Sequence, residues 1–241
     1  MCGIVGILTT DKEKQGKLTG ALSSIKHRGP DDSGEYFGDY CALGHVRLSV
    51  IDLSEMAHQP MIDHTNGLVI VFNGEIYNYK ELRKELSNEY FSSNSDTEVI
   101  LKYFLRYGEN CVDYLRGMFA FAIWDVHKKR LFIARDRFGI KPLFYYTGSG
   151  TFIFASEIKA ILQFGVPSEP DLVTCYEYVA AGKNCYDEKT FFKDIAAINP
   201  GYCGYVTPDN VELKQYWELE FDEVQEGISQ ERIEEELWQL N

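Results

Sequence analysis

A cysteine stands immediately behind the initiator methionine, in Met1-Cys2-Gly3-Ile4-Val5-Gly6-Ile7. A small second residue is the kind that allows the methionine to be removed, and Cys2 would then carry a thiol and a free α-amine on one residue. An α-amine titrates at about 7.7–8.0, so it can take the thiol's proton near neutrality without a histidine. Alone, such a residue also fits a buried small hydrophobe. A thiolate attacking a carbonyl needs donors aimed at the developing oxyanion. Phe72-Asn73-Gly74-Glu75 offers the Asn73 side-chain amide, the Gly74 backbone N–H, and a glycine that lets a substrate approach closely. The same Asn-Gly pair is an ordinary turn signal. An amino-acid substrate needs a cation for its carboxylate and an anion for its ammonium. Arg47 ends an apolar stretch, where a guanidinium suits bidentate binding of a carboxylate. Asp96, in Ser95-Asp96-Thr97-Glu98, suits an ammonium or the N-terminus of a helix.

The elements that must position these groups follow from hydrophobic periodicity. Residues 2–8 read as a buried strand. Leu18, Leu22 and Ile25 recur at helical spacing and predict a helix to about Lys26. His27–Gly34 reads as a turn-rich loop, and strands are expected at Cys41–Arg47 and Leu68–Phe72, the second interrupted by Asn73-Gly74. Asn78 with Glu81, and Ser95 with Glu98, have capping-box spacing ahead of two amphipathic helices, the second stopped by Gly108. Strands are expected at Met118–Val126, Arg130–Arg135, Leu143–Thr147, Thr151–Ala155, Tyr202–Thr207 and Val211–Trp217, and helices at Ser156–Gln163 and Asp171–Ala180. Meandering strands mixed with helices in blocks predict an α+β sandwich rather than alternating βαβ units. Past Phe221 the chain turns acidic and polar, and Ile228, Ile233, Leu237 and Leu240 space a weakly amphipathic helix. Such a face is buried either by a partner or by its own domain.

The 241 residues suffice for one large domain or a domain with an appendage. With 37 acidic against 24 basic residues the formal charge is −13, which argues against nucleic-acid and anionic-membrane partners. No apolar run is long enough to span a bilayer, and no basic, cleavable leader is evident, so a cytoplasmic location is expected. Cys2, Cys41, Cys111, Cys175, Cys185 and Cys203 show no C-x-x-C spacing and the five histidines are scattered, so reduced thiols and no metal site are expected.

Taken in order, these stretches resemble the class II glutamine amidotransferases, a branch of the N-terminal-nucleophile hydrolases. They are most similar to the glutaminase domain of glutamine-hydrolysing asparagine synthetases. The resemblance runs from Cys2 to about Trp217 and is carried by Cys2-Gly3-Ile4-Val5-Gly6, His27-Arg28-Gly29-Pro30-Asp31, Arg47-Leu48-Ser49-Val50-Ile51-Asp52, Gln59-Pro60, Asn73-Gly74-Glu75-Ile76-Tyr77-Asn78, Ser95-Asp96-Thr97-Glu98, Gly117–Phe121, Ala134–Leu143 and Phe154–Ala160. It implies an αββα four-layer sandwich of two antiparallel sheets between helices. It implies Cys2 as nucleophile with its own amine as base, and Asn73 and Gly74 as the oxyanion site. Arg47 is implied as the carboxylate clamp, with Glu75, Asp96 and the backbone of Val50 and Ile51 holding the rest of glutamine. Arg28 would organise the N-terminal region. For Arg135–Leu143 and Ala155–Ala160, core or domain-contact roles are expected.

One departure is large. Asparagine synthetases continue into a synthetase domain with a Ser-Gly-Gly-x-Asp-Ser pyrophosphate loop, and no such loop occurs in this chain. The expectation is an amidotransferase domain at 1–218 and, at 219–241, an acidic linker and the helical start of a missing synthetase domain. Expected partners are glutamine and a synthetase domain or subunit, with a homodimer left open. Mg-ATP is expected only in that further domain, and no cofactor or metal in this chain. The alternatives are an amidotransferase for another acceptor, such as a sugar, and a non-catalytic regulatory subunit that keeps the fold.

Overall fold

In a strand, successive side chains face opposite sides, and three apolar clusters separate on that rule in the computed structural model of the chain, which describes residues 1–49, 51–52, 54–182, 188–220 and 229–239. The elements are β1 (Gly3–Leu8), α1 (Lys12–Gly16), α2 (Leu18–Ser24), β2 (Asp32–Phe37), β3 (Cys41–Arg47), β4 (Met61–Asp63), β5 (Leu68–Ile76), α3 (Tyr79–Glu85), α4 (Asp96–Tyr107), α5 (Cys111–Tyr114), β6 (Gly117–Asp125), β7 (Arg130–Arg135), β8 (Phe144–Gly148), β9 (Thr151–Ala155), α6 (Ile158–Leu162), α7 (Leu172–Ala181), β10 (Ile195–Ala197), β11 (Tyr202–Val206), β12 (Val211–Gln215) and α8 (Gln230–Gln239). The strands form two six-stranded sheets, in the orders β10-β8-β9-β1-β3-β2 and β12-β11-β7-β6-β5-β4. Every pairing within them is antiparallel.

One cluster fills the space between the sheets, with Ile4, Leu8, Leu43, Val69, Val71, Ala122, Ile133 and Phe154. A second packs α2 and α6 on the outside of the first sheet, through Leu18, Leu22, Ile25, Val5, Ile7 and Ile161. A third packs α3, α4 and α5 on the second sheet, through Leu82, Val99, Tyr103, Val112, Ile70 and Phe121. The result is the αββα sandwich.

The same alternation aims the chemistry. Ile4 and Leu8 face the inter-sheet layer from β1, Cys41 and Leu43 from β3, and Val69 and Val71 from β5. Continuing each series in steps of two places Cys2, Arg47 and Asn73 at one end of that layer.

Several expectations are corrected. Asn73-Gly74 does not interrupt a strand: β5 runs on to Ile76, with Asn73 opposite Ala120 and Gly74 opposite Phe119. The stretch read as loop at 27–34 overlaps a 3-10 turn, Lys26–Arg28, and includes the start of β2, which gains its hydrogen bonds from β3. The short strands β4 and β10 lacked enough alternating residues to be seen in the sequence. Neither capping box forms. Asn78 makes no cap and instead ties the chain to Tyr114 O and Arg116 N. Ser95 does cap α4, but Glu98 reaches past it to the N–H and hydroxyl groups of Ser92 and Ser93. The tail helix is present as α8, with Ile233, Leu237 and Trp238 exposed, while Ile228 and Leu240 lie outside the described residues. Among the described residues no helix is long and apolar enough to cross a membrane.

Candidate functional site

The open end of the inter-sheet layer is a cleft of about 150 Å³, whose walls include Cys2, Arg47, Ile51, Asn73, Gly74, Glu75 and Asp96. All seven were singled out in the sequence. Arg28 stands behind Cys2, and Val50 lies outside the described residues.

Cys2 is fixed on both sides. Its Sγ is 3.4 Å from Leu48 N and 3.5 Å from Leu48 O, so the thiol meets the backbone just past β3. Its carbonyl accepts from Arg28 Nε at 2.9 Å, and Arg28 Nη1 is paired with Glu157 Oε1 at 3.0 Å, where His27 Nε2 also converges at 2.9 Å. One step along, Ile4 N–H donates to Ser156 Oγ and Ser156 N–H to Ile4 O. The Phe154–Ala160 motif thus anchors the start of β1. Burial raises the Cys2 thiol above its ordinary range, while the Leu48 contact, the chain's amine and Arg47 pull the other way. The thiol therefore needs a base to become a nucleophile. Met1 is 59% exposed at the mouth, its Sδ 3.3 Å from Lys141 Nζ.

The donors come from a bare strand edge. Phe119 exchanges hydrogen bonds with Asp136, through Phe119 N to Asp136 Oδ2 and Asp136 N to Phe119 O. Phe119 therefore points its polar groups away from β5, and Gly74 opposite it points its own away from β6. On that side β4 pairs only with Leu68–Ile70 and then ends. Beyond it, Phe72 N–H is taken by Gln59 Oε1 at 2.7 Å and Ile76 N–H by Asp96 Oδ2 at 3.0 Å. The Gly74 N–H lies on the same edge between them. A side chain at Gly74 is excluded, since a Cβ would fall 2.2 Å from Met118 O. Asn73, 1% exposed, holds a side-chain Nδ2 with no hydrogen-bond partner among the described residues. A buried donor left unpaired costs stability, and such a group is spared by a ligand that accepts from it.

The charges flank these donors. Arg47 is 7% exposed, and its guanidinium is steadied by loop carbonyls, at Ser54 O (3.4 Å), Ile51 O (3.5 Å) and Asp52 O. Among the described residues no carboxylate pairs with it, which leaves its charge for a ligand. Asp52 closes that loop by accepting from Ser54 and Asn94. Asp96 is 4% exposed at the first turn of α4, where Ser95, not Asp96, provides the N-cap contact to Thr97 N–H. Burial raises the Asp96 carboxyl to about 6, with the neighbouring Glu75 charge adding and backbone N–H groups opposing.

Three further residues touch this arrangement and were not assigned in the sequence. Gln59 was noted only as part of Gln59-Pro60. His45 shares a face with Arg47, two residues away, and that period-two relation was the available signal. Lys141, 4% exposed, reaches the cleft because the Ala134–Leu143 motif folds around Asp136, whose carboxylate accepts from Phe119, Phe138, Ile140 and Lys141 N–H groups. Arg135 gathers the carbonyls of Gly139, Lys141 and Ile198 from the other side. That motif is a brace for the cleft wall.

The glutamine amidotransferase domain family matches residues 1–217. The chain belongs to this family. It is a class II glutamine amidotransferase domain with the sandwich of the N-terminal-nucleophile hydrolases. Asparagine synthetase [glutamine-hydrolyzing] 3 of Bacillus subtilis is 38% identical over 91% of this chain and 37% of its own length. Amidase chry2 of Gibberella zeae is 35% identical over 97% of this chain and 38% of its own. The chain thus spans less than two-fifths of these relatives. The B. subtilis glutamine phosphoribosylpyrophosphate amidotransferase, at 20% identity and a TM-score of 0.68 over 90% of this chain and 49% of that one, shares the fold.

Proposed function

We propose that this domain hydrolyses glutamine to glutamate and ammonia through a thioester on Cys2. With Met1 removed, the Cys2 amine takes the thiol proton and the thiolate attacks the side-chain amide carbon. Asn73 Nδ2 and Gly74 N–H donate to the oxyanion that forms. The ammonium of Cys2 returns its proton to the leaving nitrogen, ammonia departs, and a γ-glutamyl thioester remains. Water, deprotonated by the same amine, attacks that carbonyl, and glutamate leaves as the thiol is restored. Arg47 binds the α-carboxylate and Asp96, with Glu75, the α-ammonium; the backbone of Val50 and Ile51 is assigned to the rest of glutamine, and Arg28 steadies Cys2. The observation that supports this reading most is the unpartnered, buried Asn73 amide in the cleft that also holds the Cys2 thiol and the Arg47 charge.

The ammonia is destined for a further domain, which the length of the relatives supports. The favoured acceptor is an aspartate activated with Mg-ATP, with residues 1–218 as the amidotransferase domain and 219–241 as the connection. A second reading, in which the ammonia or the acyl group goes to a different acceptor, draws on the similarity to Amidase chry2 over nearly the whole chain. The test is glutamate and ammonia release from glutamine by protein beginning at Cys2. Activity is expected to vanish in Cys2→Ala; equal activity in that variant would end the proposal.

A further inference from the structure

Phe72 is held at both main-chain groups by side chains that take no part in the thiol chemistry. Gln59 Oε1 accepts its N–H at 2.7 Å, while Gln59 Nε2 donates to Thr97 Oγ1 at 3.3 Å, tying the strand edge to the start of α4. From the opposite sheet, His45 Nε2 lies 3.1 Å from Phe72 O. A carbonyl oxygen only accepts, so Nε2 carries the proton and Nδ1 is the bare nitrogen. That Nδ1 has no partner among the described residues, and the ring is wholly buried. Burial pushes the imidazole pKa down to about 3, so His45 is neutral near pH 7.

A buried ring with an unpaired nitrogen is a poor choice for packing alone, because an apolar side chain would leave nothing unsatisfied. What the ring supplies is a grip on the peptide that joins Phe72 to Asn73. Rotation of that peptide would move the Asn73 side chain and tilt the Gly74 N–H two positions along the same edge. We propose that His45 and Gln59 are positioning residues for the Asn73–Gly74 oxyanion site, His45 pinning the Phe72 carbonyl and Gln59 its N–H. The inference rests on the glutaminase reading for its kinetic consequence and on geometry alone for its structural one.

The test uses His45→Leu, which removes the donor and also the unpaired nitrogen, and His45→Gln, whose amide places a donor where Nε2 lies. H45L is expected to lower kcat for glutamine about tenfold, the scale of one hydrogen bond, with KM close to wild type and a melting temperature unchanged or higher. Hydrogen exchange across residues 72–76 should accelerate. H45Q should recover most of kcat and of the exchange protection. Gln59→Met, which frees the other group of Phe72, should lower kcat in the same way and serves as the second variant should H45L not fold. Wild-type kcat in H45L or Q59M with unaltered exchange overturns the proposal, as does a kcat loss that H45Q does not restore. A wild type that releases no glutamate sinks the glutaminase reading, while the exchange measurement still decides whether His45 holds the strand edge.

Discussion

Asn73→Ala separates transition-state binding from structure, because the side-chain Nδ2 has no hydrogen-bond partner to lose among the described residues. Its Nδ2 is buried and unpaired, and the residue is 1% exposed. An unsatisfied buried donor costs about 1–3 kcal/mol, so its deletion offsets the packing lost with the amide. The melting temperature is therefore expected to stay the same or rise slightly. An oxyanion donor acts only once charge has moved onto the substrate oxygen, so its loss should fall on kcat, by about 10²–10³, or about 2.7–4 kcal/mol. The position lies inside β5, paired with Ala120, and not in a turn, so the strand should survive by its main-chain bonds. The assay is steady-state glutamate release by protein lacking Met1, run beside a thermal melt. A raised KM with native kcat would move Asn73 from oxyanion stabilisation to glutamine binding. A large fall in melting temperature would make the amide structural.

Asp96 gives a pH prediction with a definite sign. Its carboxyl is raised from 3.8 to about 6, chiefly by burial, so the folded state holds the proton more tightly than the unfolded one. Its contribution to stability is greatest below about pH 4 and is lost as pH rises through about 6. Without glutamine, Asp96→Asn should therefore be more stable than wild type at pH 7, with the gap closing near pH 4 in denaturant titrations. In wild type the KM for glutamine should rise as pH falls below about 6, where the ammonium's counter-charge disappears. Arg28→Met removes the donor to Cys2 O and is expected to slow thiol labelling and glutamate release by about tenfold; unchanged labelling would relegate Arg28 to packing. Glutamine, aspartate and Mg-ATP with this chain alone should yield glutamate and no asparagine above background, and asparagine formation would reveal an ATP site within the 241 residues.

The strands were legible as apolar runs bounded by turns, but β1, β3 and β5 are buried on both faces, so which residues point inward, Ile4 and Leu8 or Val5 and Ile7, was not legible in the sequence. The site's composition was legible from the chemistry of its motifs and their family resemblance, while the strand alternation that carries Cys2, Arg47 and Asn73 into one cleft emerged only from the fold. What misled was local chemistry overruled by distant pairing. Asn73-Gly74 carries a turn signature, yet nine residues of β6 hold it as strand. Asp32-Ser33-Gly34 looks like loop, yet β3 supplies its hydrogen bonds. Ser95 and Glu98 have capping-box spacing, but two serines upstream compete for the carboxylate. The supports were hidden for a different reason. Gln59 and His45 reach Phe72 across strands and sheets; for Gln59 that contact leaves no periodic trace, and for His45 the only trace is its two-residue spacing from Arg47. Lys141 reaches the cleft only because Asp136 turns the backbone beneath it.

The most direct test of the central claim is to trap the nucleophile. Protein beginning at Cys2 is incubated with a glutamine-shaped diazoketone and read by intact and peptide mass spectrometry, beside protein that retains Met1. The account predicts one equivalent of adduct, on Cys2 alone, with glutaminase activity lost in step, glutamine protecting, and neither labelling nor activity while Met1 remains. Full activity in protein that keeps Met1, or inactivating label on Cys175 or another thiol with Cys2 unmodified, would contradict it.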